Sequence, residues 1–220
     1  MEKVTRNHQY LTLLSNWAFL NTLEVLDIWQ KVDVVCFDVD STVCVDEGID
    51  ELAQFCGAGK LLLNGLLVPF EEALAARLSL FKLSLSQVQD FLEKRPPTLS
   101  PGIKELVQKL KESSKTVYLI SGGFRQVINP VASILGVPTE NIFANQLLFK
   151  TSDEFAGFDA NEPTSRSEGK PTTIELLRKA HGYKIVAMIG DGATTLEAQK
   201  SGCADLFICY GEVQLREVSV

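Results

Sequence analysis

Four short apolar runs, VDVVCF (32–37), TVYLI (116–120), KIVAMI (184–189) and ADLFICY (204–210), are spread along the chain with amphipathic stretches between them. This alternation is the strongest constraint on the fold. Apolar runs without strict polar alternation are strands buried on both faces, and such strands belong to a parallel sheet covered by helices on each side. The expected fold class is therefore α/β, with a doubly wound, Rossmann-like parallel sheet as its core.

The intervening segments carry helix signals. GIDELAQFCG puts Ile49, Leu52, Ala53 and Cys56 on one face and stops at Gly57, while VPFEEALAARLSLF and SLSQVQDFLEKR predict two further helices closed by Pro96-Pro97. In SPGIKELVQKL, Ser100 is the expected N-cap and Pro101 the first helical residue. A helix through VINPVASIL ends at Gly136, IFANQLLF and EFAGF predict a hairpin, and PTTIELLRKA predicts another helix. The pattern from Leu23 to Trp29 predicts a helix leading into the first strand.

This gives an expected division into an N-terminal helical segment (1–30), an α/β core (31–45 and 98–220) and a helical cap inserted after the first strand (46–97). With 220 residues and 45% hydrophobic content, the chain can build one sizeable core plus a small satellite.

Charge and composition exclude several functions. A net charge of −7 with no basic tract argues against nucleic acid as a partner. The greasiest window, Leu61 to Val68, is too short to span a membrane and contains Asn64 and Gly65. Five scattered cysteines without C-x-x-C spacing suggest neither a disulfide framework nor a zinc site, and fit a reducing compartment. With His8 and His181 as the only histidines, triads and metal cages are poorly supplied, and His181 is expected at an exposed helix end.

Ligands of open parallel sheets sit beyond the carboxyl ends of the strands, and three strands here end in chemically loaded turns: CFDVDST, LISGGF and MIGDGAT. Asp38 and Asp40, two apart on an extended segment, leave the same face and repel unless a cation or a shared proton intervenes. Magnesium is the simpler remedy, with Asp191 of GDG able to add another oxygen. SGGF sets a hydroxyl and two glycines at the mouth of a helix, a place suited to an anion, and Lys170 just before the next helix supplies a positive point charge. Each signal taken singly has an ordinary counterpart: a solvated loop, a Gly-rich turn, a surface lysine.

In the order DVDST, SGG, Lys, GDG the chain resembles the haloacid-dehalogenase-like phosphohydrolases. The longer words CFDVDSTVCVDEGIDELA, PFEEALAARL, LISGGFRQVINPVAS, IFAN, AGFD, PTSRSEGK and MIGDGAT are similar to the phosphoserine phosphatase family, most of all its plant members, over roughly Leu23 to Arg216.

The resemblance implies that Asp38 is the nucleophile, forming an aspartyl-phosphate, and that Asp40 is the general acid and then base. It implies Mg2+ held by Asp38, the Asp40 backbone carbonyl and Asp191. It implies phosphate held by Ser121, Gly122, Gly123 and Lys170, substrate ammonium met by Glu47, substrate carboxylate by Arg77, and a further contact from Thr194. The implied substrate is O-phospho-L-serine, the implied role L-serine biosynthesis, and the implied partner beyond substrate a second copy in a homodimer, in chloroplast stroma or cytoplasm.

The sequence departs from the family in three places. Thr195 stands where the family's G-D-G-x-x-D has its last acid, with Glu197 two residues further on; the cap segment lacks a Met-Gly-Gly lid; and QLREVSV ends the chain where the family continues. These departures imply a loosened lysine and metal outer shell and reduced activity. They leave open two other readings, a non-enzymatic binding protein and a relaxed phosphatase for small phosphomonoesters.

Overall fold

The computed structural model describes residues 22–57, 78, 83–191 and 202–210. Helix α1 (Thr22–Lys31) leads into strand β1 (Val34–Phe37), followed by a wide turn at Val39–Val43, helix α2 (Gly48–Phe55), helix α3 (Leu85–Lys94) and helix α4 (Ile103–Glu112). Strand β2 (Thr116–Phe124), helix α5 (Arg125–Leu135), strands β3 (Ile142–Asn145), β4 (Leu147–Phe149) and β5 (Phe155–Phe158), helix α6 (Gly169–His181), and strands β6 (Val186–Gly190) and β7 (Leu206–Cys209) complete it.

The main sheet has the order β3-β2-β1-β6-β7, and all its pairs are parallel. Strand β1 lies at its centre, with Phe37 in register with Leu119 of β2 and Ile189 of β6. All four β1 residues are fully buried because successive side chains feed opposite faces. Val35 and Phe37 join Val117, Leu119, Ala187 and Ile189 beneath α4 and α5, while Val34 and Cys36 join Tyr118, Ile120, Val186 and Met188 beneath α6. Burying both faces is what the uninterrupted apolar runs required, and the doubly wound α/β expectation holds.

A separate apolar cluster gathers Leu52 and Ala53 of α2, Leu78, Leu83, and Val88 and Phe91 of α3 against Phe124 and Leu147. Helix α3 starts with a reciprocal cap: Ser84 Oγ accepts from Gln87 N, and Gln87 Oε1 accepts from Ser84 N. The two chain segments that join this cluster to the sheet pair with each other. Val45 N donates to Thr98 O at 3.0 Å and Ser100 N to Val43 O at 2.9 Å.

Four local expectations need correction. SGGF does lead into a helix, with Phe124 as the N-cap of α5, but it is not a Gly-rich turn, because β2 runs through it to Phe124. Ser100 does not cap α4. Gly102, with φ at +79°, holds the N-cap position, Ser100–Pro101–Gly102 is a turn, and Ser100 Oγ is buried without a hydrogen bond. IFAN is the edge strand of the main sheet rather than half of a hairpin; the antiparallel pair is β4 with β5. Lys170 lies inside the first turn of α6, after Glu168 in a left-handed conformation at φ +59°. The expected helix VPFEEALAARLSLF lies outside the described residues apart from Leu78.

Among the described residues no helix is long and apolar enough to cross a membrane. His181 is exposed at the last turn of α6, as expected, with its ring 5.3 Å from that of Tyr183.

Candidate active site

Strand β1 delivers Asp38 directly at its carboxyl end. Asp38 N donates to Ile189 O at 2.8 Å, which continues the β1–β6 ladder one residue past the strand. The side chain is buried: Oδ1 accepts from Val39 N at 2.9 Å, and Oδ2 receives Lys170 Nζ at 2.5 Å. Both partners of this ion pair are nearly sealed from water, with side chains 8% and 10% exposed. Such a pair is costly to assemble and does not by itself argue for stability.

After Asp38 the chain does not stay extended. It closes a wide turn in which Cys44 N donates to Val39 O at 2.8 Å and Ser41 takes φ +54°, a left-handed conformation uncommon for a residue with a side chain. The turn brings Asp40 back under α2, where Oδ1 accepts from Gly48 N at 2.8 Å. Its other oxygen accepts from Ser121 Oγ at 3.0 Å. Glu47, the N-cap residue of α2, accepts from Ser41 Oγ at 2.8 Å.

Strand β2 brings the next wall. Ser121 is fully buried, and its Oγ also accepts from Gly123 N at 2.8 Å. Gly123 leaves the carboxyl its place, because a Cβ there would stand 2.9 Å from Asp40 Oδ2 and 3.1 Å from Ser121 Oγ, so one of those side chains would have to shift. Gly122 O accepts from Asn145 Nδ2 at 2.7 Å.

The electrostatics follow from enclosure. Burial pushes the Asp40 carboxyl up to about 7; the negative charges of Glu47 and then Asp38 push the same way, against the donors from Gly48 and Ser121. Burial also drives the Cys36 and Cys44 thiols up to about 12, so neither supplies a thiolate near neutrality.

Asp38, Asp40, Glu47, Ser121, Gly122, Gly123 and Lys170 are thus gathered at the carboxyl ends of β1 and β2 and the start of α6. Asp191 directly follows β6, the strand paired with β1. Arg77 and Thr194, like Thr195 and Glu197, lie outside the described residues.

The sequence reading gave no role to Asn145 or Thr164. Asn145 is fully buried and accepts from Thr164 Oγ1 at 3.2 Å. The available signal was an amide at the end of the apolar word IFA, since a buried polar side chain requires a partner. Gly169 was missed too: a Cβ there would meet Pro163 O at 2.5 Å and Thr164 Cα at 2.7 Å.

A carboxylate ion-paired at a strand end, a second carboxyl held near neutrality and a hydroxyl-and-glycine segment beside them describe a phosphohydrolase-type centre. The family described as haloacid dehalogenase-like hydrolase matches residues 32–201, and the chain belongs to it.

Within that class it is similar to phosphoserine phosphatases. The chain is 65% identical to the chloroplastic phosphoserine phosphatase of Arabidopsis thaliana over 216 residues, 96% of this chain and 73% of that protein. It is 46% identical to the phosphoserine phosphatase of Homo sapiens over 200 residues, 88% of each. A solved phospho-aspartyl intermediate analogue of phosphoserine phosphatase superposes with a TM-score of 0.66 at 27% identity, covering 81% of this chain and 93% of that one.

Proposed function

We propose that the chain hydrolyses O-phospho-L-serine to L-serine and phosphate through an aspartyl-phosphate on Asp38. The observation that carries this is the buried Asp38–Lys170 pair at the end of β1, with Asp40 and Ser121 beside it. Asp38 has a carboxylate oxygen facing a cation where phosphate charge would gather, and attack by that oxygen splits hydrolysis into two easier steps. A relative solved as a phospho-aspartyl intermediate analogue supports the same route.

Asp40 then has the work of protonating the departing serine oxygen and later withdrawing a proton from water. A carboxyl held at about 7 is suited to both near neutral pH. Ser121, the Gly122 and Gly123 backbone and Lys170 hold the phosphoryl oxygens; Glu47, Arg77 and Thr194 orient the serine end. The segment 46–97 is read as a cap inserted into the core (31–45 and 98–220), supported by the paired connections at Val43–Val45 and Thr98–Ser100; of the N-terminal segment 1–30, the described helix α1 packs Val25, Ile28 and Trp29 against the core.

The oxygen donors fit Mg2+. Asp38 and Asp191 stand at the ends of neighbouring strands, and the third donor is the Asp40 backbone carbonyl, a hard, all-oxygen set. Among the described residues no group of three or more His, Cys, Asp or Glu is arranged to hold a metal. When bound, the ion offsets the charge that gathers on the phosphoryl oxygens. We infer the chloroplast stroma or the cytoplasm as the location, the first supported by the chloroplastic relative, and a homodimer as the assembly; organelle fractionation and sedimentation test them.

The deciding experiment is phosphate release from L-phosphoserine with and without Mg2+, comparing the chain with Asp38→Asn. The expected result is Mg2+-dependent release, lowered by about 10³-fold or more in the variant, with folding verified by circular dichroism. Retained release in Asp38→Asn would overturn the covalent route.

A further inference from the structure

Four hydrogen bonds run in one direction from the short turn Pro163–Ser165 to the carboxyl of Asp40. Thr164 Oγ1 donates to Asn145 Oδ1 at 3.2 Å, and Asn145 Nδ2 donates to Gly122 O at 2.7 Å. The amide of the same peptide, Gly123 N–H, donates to Ser121 Oγ at 2.8 Å, and Ser121 Oγ donates to Asp40 Oδ2 at 3.0 Å. Thr164, Asn145 and Ser121 are 3%, 0% and 0% exposed, so water does not compete along most of the path. Aligned donors in such surroundings polarise one another.

The Gly122–Gly123 peptide is the joint in this path. Neither flanking residue has a side chain to limit its orientation, so the backbone alone leaves several orientations open. Because the peptide is planar, the bond from Asn145 to its carbonyl also fixes where its N–H points.

Thr164 in turn is held firmly. Gly169 leaves no room for a Cβ against Pro163 O or Thr164 Cα, so the turn lies flat on the start of α6, one residue before Lys170. Ser165 Oγ closes the same turn by donating to Glu162 O at 2.8 Å.

We propose that Thr164 and Asn145 are positioning residues for Asp40: they hold the Gly122–Gly123 peptide so that Ser121 keeps the Asp40 carboxyl aimed at the leaving-group oxygen. The inference rests on the phosphatase reading above. It makes the turn at 163–165 a common support, through Gly169 for the lysine and through Asn145 for the proton donor.

The test uses the full chain with Thr164→Val, which removes the hydroxyl at similar volume, and Thr164→Ser, which keeps it. Thr164→Ala replaces the valine variant should that one not fold. On L-phosphoserine, whose alkoxide must be protonated as it departs, kcat is expected to fall about tenfold in the valine variant and to stay within about twofold in the serine variant. The first-turnover burst of 4-nitrophenolate from 4-nitrophenyl phosphate, which reports transfer to Asp38 with a leaving group that needs no proton and precedes the step in which Asp40 acts as base, is expected to keep its rate within about threefold in the valine variant.

In parallel, amide hydrogen exchange of the peptide spanning 121–124 is expected to quicken in the valine variant and to match the parent in the serine variant. A loss in that burst rate equal to the loss in kcat on L-phosphoserine, an unchanged kcat on L-phosphoserine, or unchanged exchange would each overturn the proposal. Absence of turnover in the parent chain overturns the phosphatase reading instead, and the exchange comparison then decides alone whether Thr164 holds the peptide.

Discussion

Strand β1 is bracketed by two aspartates that do similar work with opposite results. At its amino end Asp33 Oδ2 accepts the Lys184 and Ile185 amides at 2.7 and 3.0 Å, and those two bonds hold its pKa below the usual carboxylate value. At its carboxyl end Asp40 accepts a backbone amide and a hydroxyl, yet its carboxyl is pushed up to about 7. Asp33 is exposed; Asp40 is half-buried as a residue with its carboxyl turned inward onto Gly48 and Ser121, and Glu47 and Asp38 are close by. Two donors suffice to favour the charged form in water, but not against desolvation with like charges added. The amino end of the strand is therefore built for anchoring and the carboxyl end for proton transfer.

The largest break in this comparison comes from crowding the carboxyl end. Gly123→Ala puts a methyl within 2.9 Å of Asp40 Oδ2, and kcat/KM for L-phosphoserine is expected to drop about 10²-fold, with the thermal midpoint moving little beside it. Steady-state kinetics and calorimetry on one preparation check both halves.

The next break is in stability, and its sign differs between the two ends. Asp33 has a lowered folded pKa, so its stabilisation is present above the unfolded value of 3.8 and lost as pH falls through the folded value. Asp40 has a raised one. The folded state holds its proton between 3.8 and about 7 while the unfolded chain has released it, so stability declines as pH rises across that window. At pH 8, Asp33→Asn should lower stability by no more than about 0.5 kcal/mol, the exposed carboxylate being screened by water, and Asp40→Asn should leave stability unchanged or raise it. Urea denaturation at pH 5 and pH 8 measures the pair, and a loss of stability in both variants at pH 8 would break the contrast.

The smallest effect sharpens the role of enclosure. Lys31 pairs with Asp27 at 2.5 Å, the same separation as Lys170 and Asp38, but both of its side chains are about 60% exposed. Lys31→Ala should change stability by no more than about 0.5 kcal/mol and leave turnover untouched. Equal distance with unequal consequence isolates burial as the variable.

Much of this site could be read along the chain. Asp38, Asp40, Ser121 and Lys170 announced themselves because each follows an apolar run or opens a helix, where the rule for open parallel sheets puts a ligand. Asn145 and Thr164 did not, since their partners are distant in sequence and neither carries charge. The extended SGGF was also illegible: glycines after a strand and before a helix read as a loop, whereas pairing of Phe124 with Asn145 keeps β2 going. Ser100 had the right composition for a cap, but its backbone is occupied in the pairing with Val43, which leaves the cap position to Gly102.

By itself the sequence determined the alternation of buried strands and amphipathic helices, hence a parallel sheet with its chemistry at the carboxyl ends. Those properties follow from local periodicity, which is written in consecutive residues. Only the tertiary structure decided which donors meet which acceptors. The pairing of Lys170 with Asp38, the path from Thr164 to Asp40 and the elevated Asp40 carboxyl all depend on enclosure and on contacts between segments far apart in the chain. Desolvation is a property of everything packed around a group, and no stretch of sequence carries it alone.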